Sequence, residues 1–227
     1  IVVVSIFVNP TQFLQGEDLD KYPRKDEADK KICELSGVDI LFFPSVENIY
    51  TKDEVSLQAP NVRGFVLEGT SRPGHFNGVL TVVNKLFNIV KPTNAYFGKK
   101  DAQQLNLISL MVKQLFMDIN IVPVDTVRES DGLAMSSRNA YLSKEERKEA
   151  GKIPLSLQKA TSLIRNNEDV SSVIIEKVRQ EHSLLEIFYV EVLDREFNKI
   201  ETIEIGNSVI LVEVKVGTTR LLDNLWI

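Results

Sequence analysis

Cysteine is nearly absent from these 227 residues. Cys33 stands alone, which excludes an internal disulfide framework, and a single thiol on the apolar side of an expected helix reads as core in a reducing cytoplasm. Histidine is almost as scarce. His75 and His182 lie far apart, and with one cysteine they do not make a structural zinc site. No apolar run reaches the roughly 18 residues that mark a membrane span. The opening apolar run, Ile1 to Val8, lacks a basic flank and a cleavage site, so nothing in it directs export. Positive charge is not in excess either. With 27 basic against 32 acidic residues, a net charge of -5 and a pI near 5.3, a broad nucleic-acid-binding surface is excluded, although a local basic pocket is not. Neither GxGxxG nor GxxxxGK[ST] occurs, which removes the dinucleotide fingerprint and the P-loop. There are no internal repeats and no low-complexity linkers.

What is present is a two-part grammar. The run Ile1 to Val8 is apolar on both faces, the pattern of a central parallel strand, and Asn9-Pro10 ends it because proline brings no backbone donor. Lys25 to Ser36 carries Ala28, Ile32 and Leu35 at helical spacing and stops at Gly37, a natural left-handed cap. Val38 to Phe43 predicts a strand ending at Pro44, with a further short strand near Val55 to Leu57. Phe76 to Val90 places Val79, Val82, Val83, Leu86 and Ile89 or Val90 on one stripe of a buried helix, ended by Lys91-Pro92. A brief strand at Ala95 to Phe97, a helix over Asp101 to Met117 with Leu105, Ile108, Val112 and Leu115 on one face, and a strand at Ile119 to Val124 follow. Strand and helix alternating at these lengths predict parallel βαβ units.

From about Thr126 the order changes. A capping box at Ser143 and Glu146 opens one helix, interrupted near Gly151 and Pro154, and Ser171 to Glu181 makes another. Strands at Ile187 to Leu193, Ser208 to Val216 and Arg220 to Ile227 close the chain. The reading is therefore α/β: a Rossmann-like parallel-sheet domain over residues 1–126, followed by a smaller α+β domain over residues 127–227.

Three stretches carry candidate chemistry. Asn9 and Gln12 are uncharged amides at the carboxyl end of a strand, where open α/β sheets place their ligands. In Tyr96-Phe97-Gly98-Lys99-Lys100-Asp101-Ala102-Gln103-Gln104, a glycine turn delivers two lysines to a helix start, an arrangement suited to phosphate. The same residues also fit a capping box from Asp101 to Gln104 beside two solvated lysines. In Val127 to Asn139, the hydroxyls of Ser136 and Ser137 and the charge of Arg138 suit a polyphosphate clamp, while the composition equally suits a plain connector. His75, just before the buried helix, fits a cap or packed side chain better than a catalyst, and His182 falls at a polar helix end, which predicts a surface position. Any metal is expected to be magnesium arriving with nucleotide phosphates.

Taken together, VSIFVNPTQF, Tyr22-Pro23-Arg24, RPGHFNGV with TVVNKLFNIV, AYFGKKDAQQL, VRESDGLAMSSRNAYL and the closing RLLDN resemble the pantoate-beta-alanine ligase family in order and spacing. The likeness is strong from Ile1 to about Leu142 and looser beyond. It implies a fold similar to the nucleotidyltransferases and class I aminoacyl-tRNA synthetases. It also implies a two-step reaction in which ATP and pantoate give pantoyl adenylate and pyrophosphate, and the beta-alanine amine then displaces AMP. Carried onto this chain, Asn9, Gln12 and Gln104 would serve pantoate, with Gln12 also near beta-alanine. Phe97, Gly98, Lys99, Lys100, Asp101, Val127, Met135, Ser136, Ser137 and Arg138 would form the ATP site. Lys100, Ser136, Ser137 and Arg138 would act on the reacting phosphates, with Mg2+ as the nucleotide's counter-ion. The smaller domain would serve as a lid, and the protein would be a cytoplasmic homodimer without nucleic-acid or membrane partners.

One family feature does not occur in these residues: the His-x-Gly-His segment, with the strand and helix around it, that binds phosphates and supplies a catalytic histidine. The expectation is that an N-terminal portion bearing it lies outside these 227 residues, and that a protein truly without it would be crippled in catalysis. Two other readings accompany the ligase: a non-catalytic nucleotide-binding relic, and another adenylyltransferase of the same superfamily, the latter weakened by the amides Gln12 and Gln104.

Overall fold

The opening apolar run becomes a strand only over Val3–Ser5 (β1), paired in parallel with Ile40–Phe42 (β2), Val3 opposite Ile40 and Ser5 opposite Phe42. This corrects the expectation of a strand buried on both faces. β1 has one hydrogen-bonded neighbour, Val3 and Val4 are half-buried, and Ser5 is exposed. The computed structural model describes residues 1–227, and its contacts gather the chain into two units, Ile1–Asn94 with Met111–Asn120, and Ala95–Leu110 with Ile121–Ile227.

In the first unit, Asn9 caps a 3-10 turn over Pro10–Gln12, with proline at the start of the turn where its missing N–H is least harmful. Asp26–Leu35 forms α1, which buries Cys33 as expected. Its apolar stripe is a second correction. Ile32 and Leu35 are 61% and 75% exposed, because no residue of the structure lies over that face. The Ser45 and Asn48 capping box opens the short α2, Val46–Ile49. No strand forms at Val55 to Leu57; the segment is irregular, held where Leu57 N donates to Thr81 Oγ1 at 2.9 Å. After a single turn, α3 (Glu68–Ser71), the helix α4 (His75–Val90) buries Phe76, Val79, Leu80, Val82, Val83 and Phe87. It ends at Lys91, in the left-handed region at φ 48°, before Pro92. Ile89 is exposed, so Val90 completes the stripe.

Asn94–Gly98 (β3) and Asn120–Val124 (β4) pair with each other, with α5 (Ala102–Gln114) between them in sequence. Leu105, Ile108 and Val112 of α5 are buried, whereas Leu115 falls beyond the helix end and is half exposed, contrary to expectation. In the second unit the Ser143 and Glu146 capping box opens α6 (Lys144–Ala150). The chain breaks at Gly151 and resumes as α7 (Lys152–Arg165), where Pro154 sits in the first turn and no intrahelical donor is lost. Ser171–Glu181 forms α8.

An antiparallel sheet ordered β5, β6, β7 closes the chain: Glu186–Asp194, Ser208–Val216 and Thr219–Trp226. The middle strand, β6, is buried along nearly its whole length, which explains the run SVILVEVKV. Ile153, Leu157, Ala160, Ile174 and Val178 of α7 and α8 share one core with Val190, Val192, Ile210, Val212 and Val214 of the sheet. His182 belongs to this interior. It is 1% exposed, with Nε2 3.0 Å from Ser156 Oγ, which overturns the surface expectation. The end of α8 turns onto α7 there, and burial pushes the imidazole pKa down. No helix is long and apolar enough to cross a membrane.

Candidate active site

In the first unit the candidate amides are built around Asn9, which is almost fully buried. Its Oδ1 accepts from the Tyr50 hydroxyl at 2.8 Å and from Thr11 Oγ1 at 3.0 Å. Its Nδ2 donates to Gly78 O at 3.2 Å and to Gln12 Oε1 at 3.3 Å. Asn9 is therefore engaged as a structural hub, and Gln12, half-buried, is the amide it orients. A Cβ on Gly78 would collide with the Thr11 carbonyl and come within 2.7 Å of Gln12 N. Only glycine lets the Pro10–Gln12 turn lie this close on α4.

Beneath Gln12 sits a buried charge cluster. Arg72 donates from Nε to Glu17 Oε1 at 2.9 Å and from Nη2 to Glu17 Oε2 at 2.8 Å, while Nη1 reaches Glu68 Oε1 at 3.0 Å. Burial works against the guanidinium charge, but the two carboxylates outweigh it and hold its pKa above the ordinary value. Arg72 Nη2 also donates to Gln12 O at 3.2 Å, and His75 Nδ1 lies 2.7 Å from the same carbonyl. Arg72 and His75 thus both fasten the backbone of Gln12.

In the second unit, β3 delivers Gly98 to the turn before α5. Gly98 is not in the left-handed region, so its backbone does not require glycine. A Cβ there would meet nothing within 4 Å, so the space over it is open. Phe97 is half-buried beside it. Lys99 Nζ pairs with Asp125 Oδ1, just past β4, at 2.6 Å and Lys100 Nζ with Asp101 Oδ1 at 3.1 Å, so both ammoniums have carboxylate partners. Gln104 is half-buried on the first turn of α5.

The loop expected to clamp phosphate is a small hairpin. Arg128 and Ala134 form an antiparallel bridge, Met135 N donates to Val127 O at 2.9 Å, and Gly132, at φ 86°, makes the turn. Val127 and Met135 are exposed. Arg147 grips the hairpin through Glu129 Oε2 at 2.8 Å and Asp131 Oδ2 at 2.7 Å. Ser136 caps the 3-10 turn Ser137–Tyr141 by accepting from Arg138 N at 3.3 Å. A hydroxyl that accepts still has a proton to donate, so the cap does not remove Ser136 from a phosphate site.

The two segments are fastened to the same strand. Asp223 of β7 receives Arg128 Nη1 at 2.6 Å and Nη2 at 3.0 Å, and this pairing raises the Arg128 pKa. Asn224 Nδ2 donates to Lys99 O at 2.9 Å and to Lys100 O at 2.7 Å. Sequence reading gave no role to Gly78, Glu17, Glu68, Asp223 or Asn224. The only signals available were the RPGHFNGV and RLLDN motifs in which Gly78, Asp223 and Asn224 stand.

An α/β core with a lysine turn at a helix start is consistent with a nucleotidyltransferase-like α/β fold. Comparison with known proteins narrows the class. The family model described as pantoate-beta-alanine ligase matches residues 1–226. The chain is 67% identical to a pantothenate synthetase of Sulfurimonas denitrificans and 58% identical to one of Aliarcobacter butzleri, in each case over all of this chain and 83% of the relative. The crystal structure of a Thermus thermophilus pantothenate synthetase superposes with a TM-score of 0.94 at 38% identity, over 99% of this chain and 82% of that one. A Francisella tularensis pantoate-beta-alanine ligase complexed with beta-gamma ATP and beta-alanine gives 0.77 at 34% identity, over 100% of this chain and 79% of that one. The chain belongs to the pantoate-beta-alanine ligase family. It is a ligase that forms a carbon-nitrogen bond, joining pantoate to beta-alanine with ATP. A match of this extent favours the ligase over a binding relic or a different adenylyltransferase.

Proposed function

We propose that the reaction runs through a pantoyl adenylate and that the residues divide its labour as follows. The pantoate carboxylate attacks the ATP α-phosphorus, pyrophosphate leaves, and the beta-alanine amine then attacks the acyl carbon and displaces AMP. Gln12, oriented by Asn9, and Gln104 serve pantoate. Amides donate and accept, so they orient a hydroxy acid without the salt bridge that would quench its carboxylate as a nucleophile. Phe97 to Asp101 receive ATP, with Val127 beside the adenine and Met135, Ser136, Ser137 and Arg138 over the phosphates. Lys100 and Arg138, aided by the Ser136 and Ser137 hydroxyls, stabilise the charge that develops as pyrophosphate departs.

The observation that supports this most is the open face over Gly98 at the start of α5, flanked by Lys99 and Lys100. Magnesium enters as part of the nucleotide substrate, held by its phosphates. No group of three His, Cys, Asp or Glu side chains is arranged to hold a metal ion on its own. Residues 127–227 cover the nucleotide segment and keep water from the acyl adenylate, and the protein works as a cytoplasmic homodimer.

Steady-state kinetics of two variants test the division of roles. Gln104→Ala raises the KM for pantoate about tenfold or more with the KM for ATP nearly unchanged, and Lys100→Ala does the reverse while lowering kcat, each lost hydrogen bond to a charged group being worth roughly 1.5–3 kcal/mol. A collapse of ATP affinity in Gln104→Ala would overturn the assignment.

A further inference from the structure

The closing motif RLLDN has no part in the reaction as described, yet two of its residues reach both nucleotide segments. Successive side chains of a strand point to opposite faces, so Asp223 and Asn224, adjacent in β7, address two different neighbours from one position. Asp223 is almost wholly buried and takes both Arg128 nitrogens, at 2.6 and 3.0 Å. Arg128 Nη1 in turn donates to Gly132 O at 3.0 Å, at the tip of the hairpin whose continuation carries Met135 to Arg138. A bidentate guanidinium-carboxylate pair fixes orientation as well as distance.

Asn224 is the more telling of the two. Both groups facing its Nδ2 are backbone carbonyls, which cannot donate, so the amide orientation is fixed. In that orientation its buried Oδ1 has no partner. An unpartnered buried acceptor is unfavourable, and packing alone would be served better by an apolar side chain of the same shape. What the amide does deliver is two donors to the Lys99 and Lys100 carbonyls. Trp226 Nε1 adds a third donor, at 3.3 Å from Lys99 O.

We propose that Asp223 and Asn224 are positioning residues for the nucleotide: Asn224 sets the Lys99-Lys100 turn, Asp223 sets the Arg128 hairpin, and the strand between them fixes the spacing of the two. The inference rests on the proposed ATP role of those segments, and it assigns to the end of the chain a part in ATP affinity.

The test is equilibrium binding of MgATP to the full-length protein by titration calorimetry, with pantothenate formation measured alongside. Asn224→Leu and Asp223→Asn are compared with Val212→Ala. Val212 faces Asp223 across the β6 and β7 ladder and lies in the core, where its apolar side chain has no hydrogen bond to give to either segment. Asn224→Leu and Asp223→Asn weaken MgATP binding at least tenfold and leave the KM for pantoate within twofold, and Asp223→Glu recovers part of the loss. Val212→Ala lowers the melting temperature with ATP affinity unchanged. ATP affinity within twofold of the wild type in both motif variants, or an equal loss in Val212→Ala, overturns the inference. If the wild type binds ATP and the variants follow the expected pattern but no pantothenate forms, the positioning role stands and the assigned chemistry falls. A wild type that binds no ATP overturns both.

Discussion

Arg72 Nη1 lies 2.9 Å from His75 Nε2, and this contact settles the protonation of the histidine beneath Gln12. A guanidinium has five donors and no acceptor, so Nε2 accepts and the imidazole carries its single proton on Nδ1, which donates to Gln12 O at 2.7 Å. Burial first, and the Arg72 charge second, push the His75 pKa below its ordinary value of 6.5. His75 is a neutral strut under Gln12, not a proton donor in waiting.

That assignment has a pH consequence. The unfolded chain takes up a proton near pH 6.5 while folded His75 resists it, so its contribution is complete above that pH and is lost as pH falls below it. Thermal melts from about pH 7.5 down to about pH 5.5 should show a steeper loss in the wild type than in His75→Gln, by at most about 1.4 kcal/mol per pH unit. Parallel slopes would mean that His75 is not held neutral.

Arg72 should not tolerate truncation. Arg72→Met takes the guanidinium from between two largely buried carboxylates, Glu17 and Glu68, and unfolding stability drops by about 3–5 kcal/mol. Denaturant titration measures it. A loss below about 1 kcal/mol would show the cluster to be solvated like a surface pair.

Gly78→Ala is the smallest change expected to reach the substrate. The added methyl has no room against the backbone of Thr11 and Gln12, so the turn must shift. Stability falls by roughly 1–3 kcal/mol. The KM for pantoate rises several-fold with that for ATP unaltered, because Asn9 loses its Gly78 partner and Gln12 its orientation. Kinetics at saturating ATP check this, and an unchanged pantoate KM would separate the turn from the substrate.

Ser143→Ala serves as the counter-case. It removes the side-chain cap of α6, where Ser143 Oγ accepts from Glu146 N at 3.2 Å, and costs about 1 kcal/mol. Activity below the melting transition stays at the wild-type level.

The same contrast explains what could be read from the sequence. Ser143 and Glu146 are three residues apart, and β6 announces itself by its own apolar run, so both were legible before any fold was known. His182 was not, because its burial depends on Ser156, 26 residues away. Nor was the stripe of α1: Ile32 and Leu35 have helical spacing, but spacing does not say whether anything covers a face. Among the residues proposed to meet the substrates, Gln12, Lys100, Gln104 and Arg138 stood out by type and motif. Their supports did not, since Glu17 meets Arg72 across 55 positions and Asn224 meets Lys100 across 124. Residues that hold others in place carry no local signature of that duty.

The central claim is an acyl-adenylate route, and pyrophosphate release before any amine is added tests it most directly. The full-length protein with ATP, magnesium and pantoate should release pyrophosphate in a pantoate-dependent burst, and AMP should follow only when beta-alanine is supplied. Release of ADP and phosphate, or pyrophosphate formation that needs no pantoate, would contradict it.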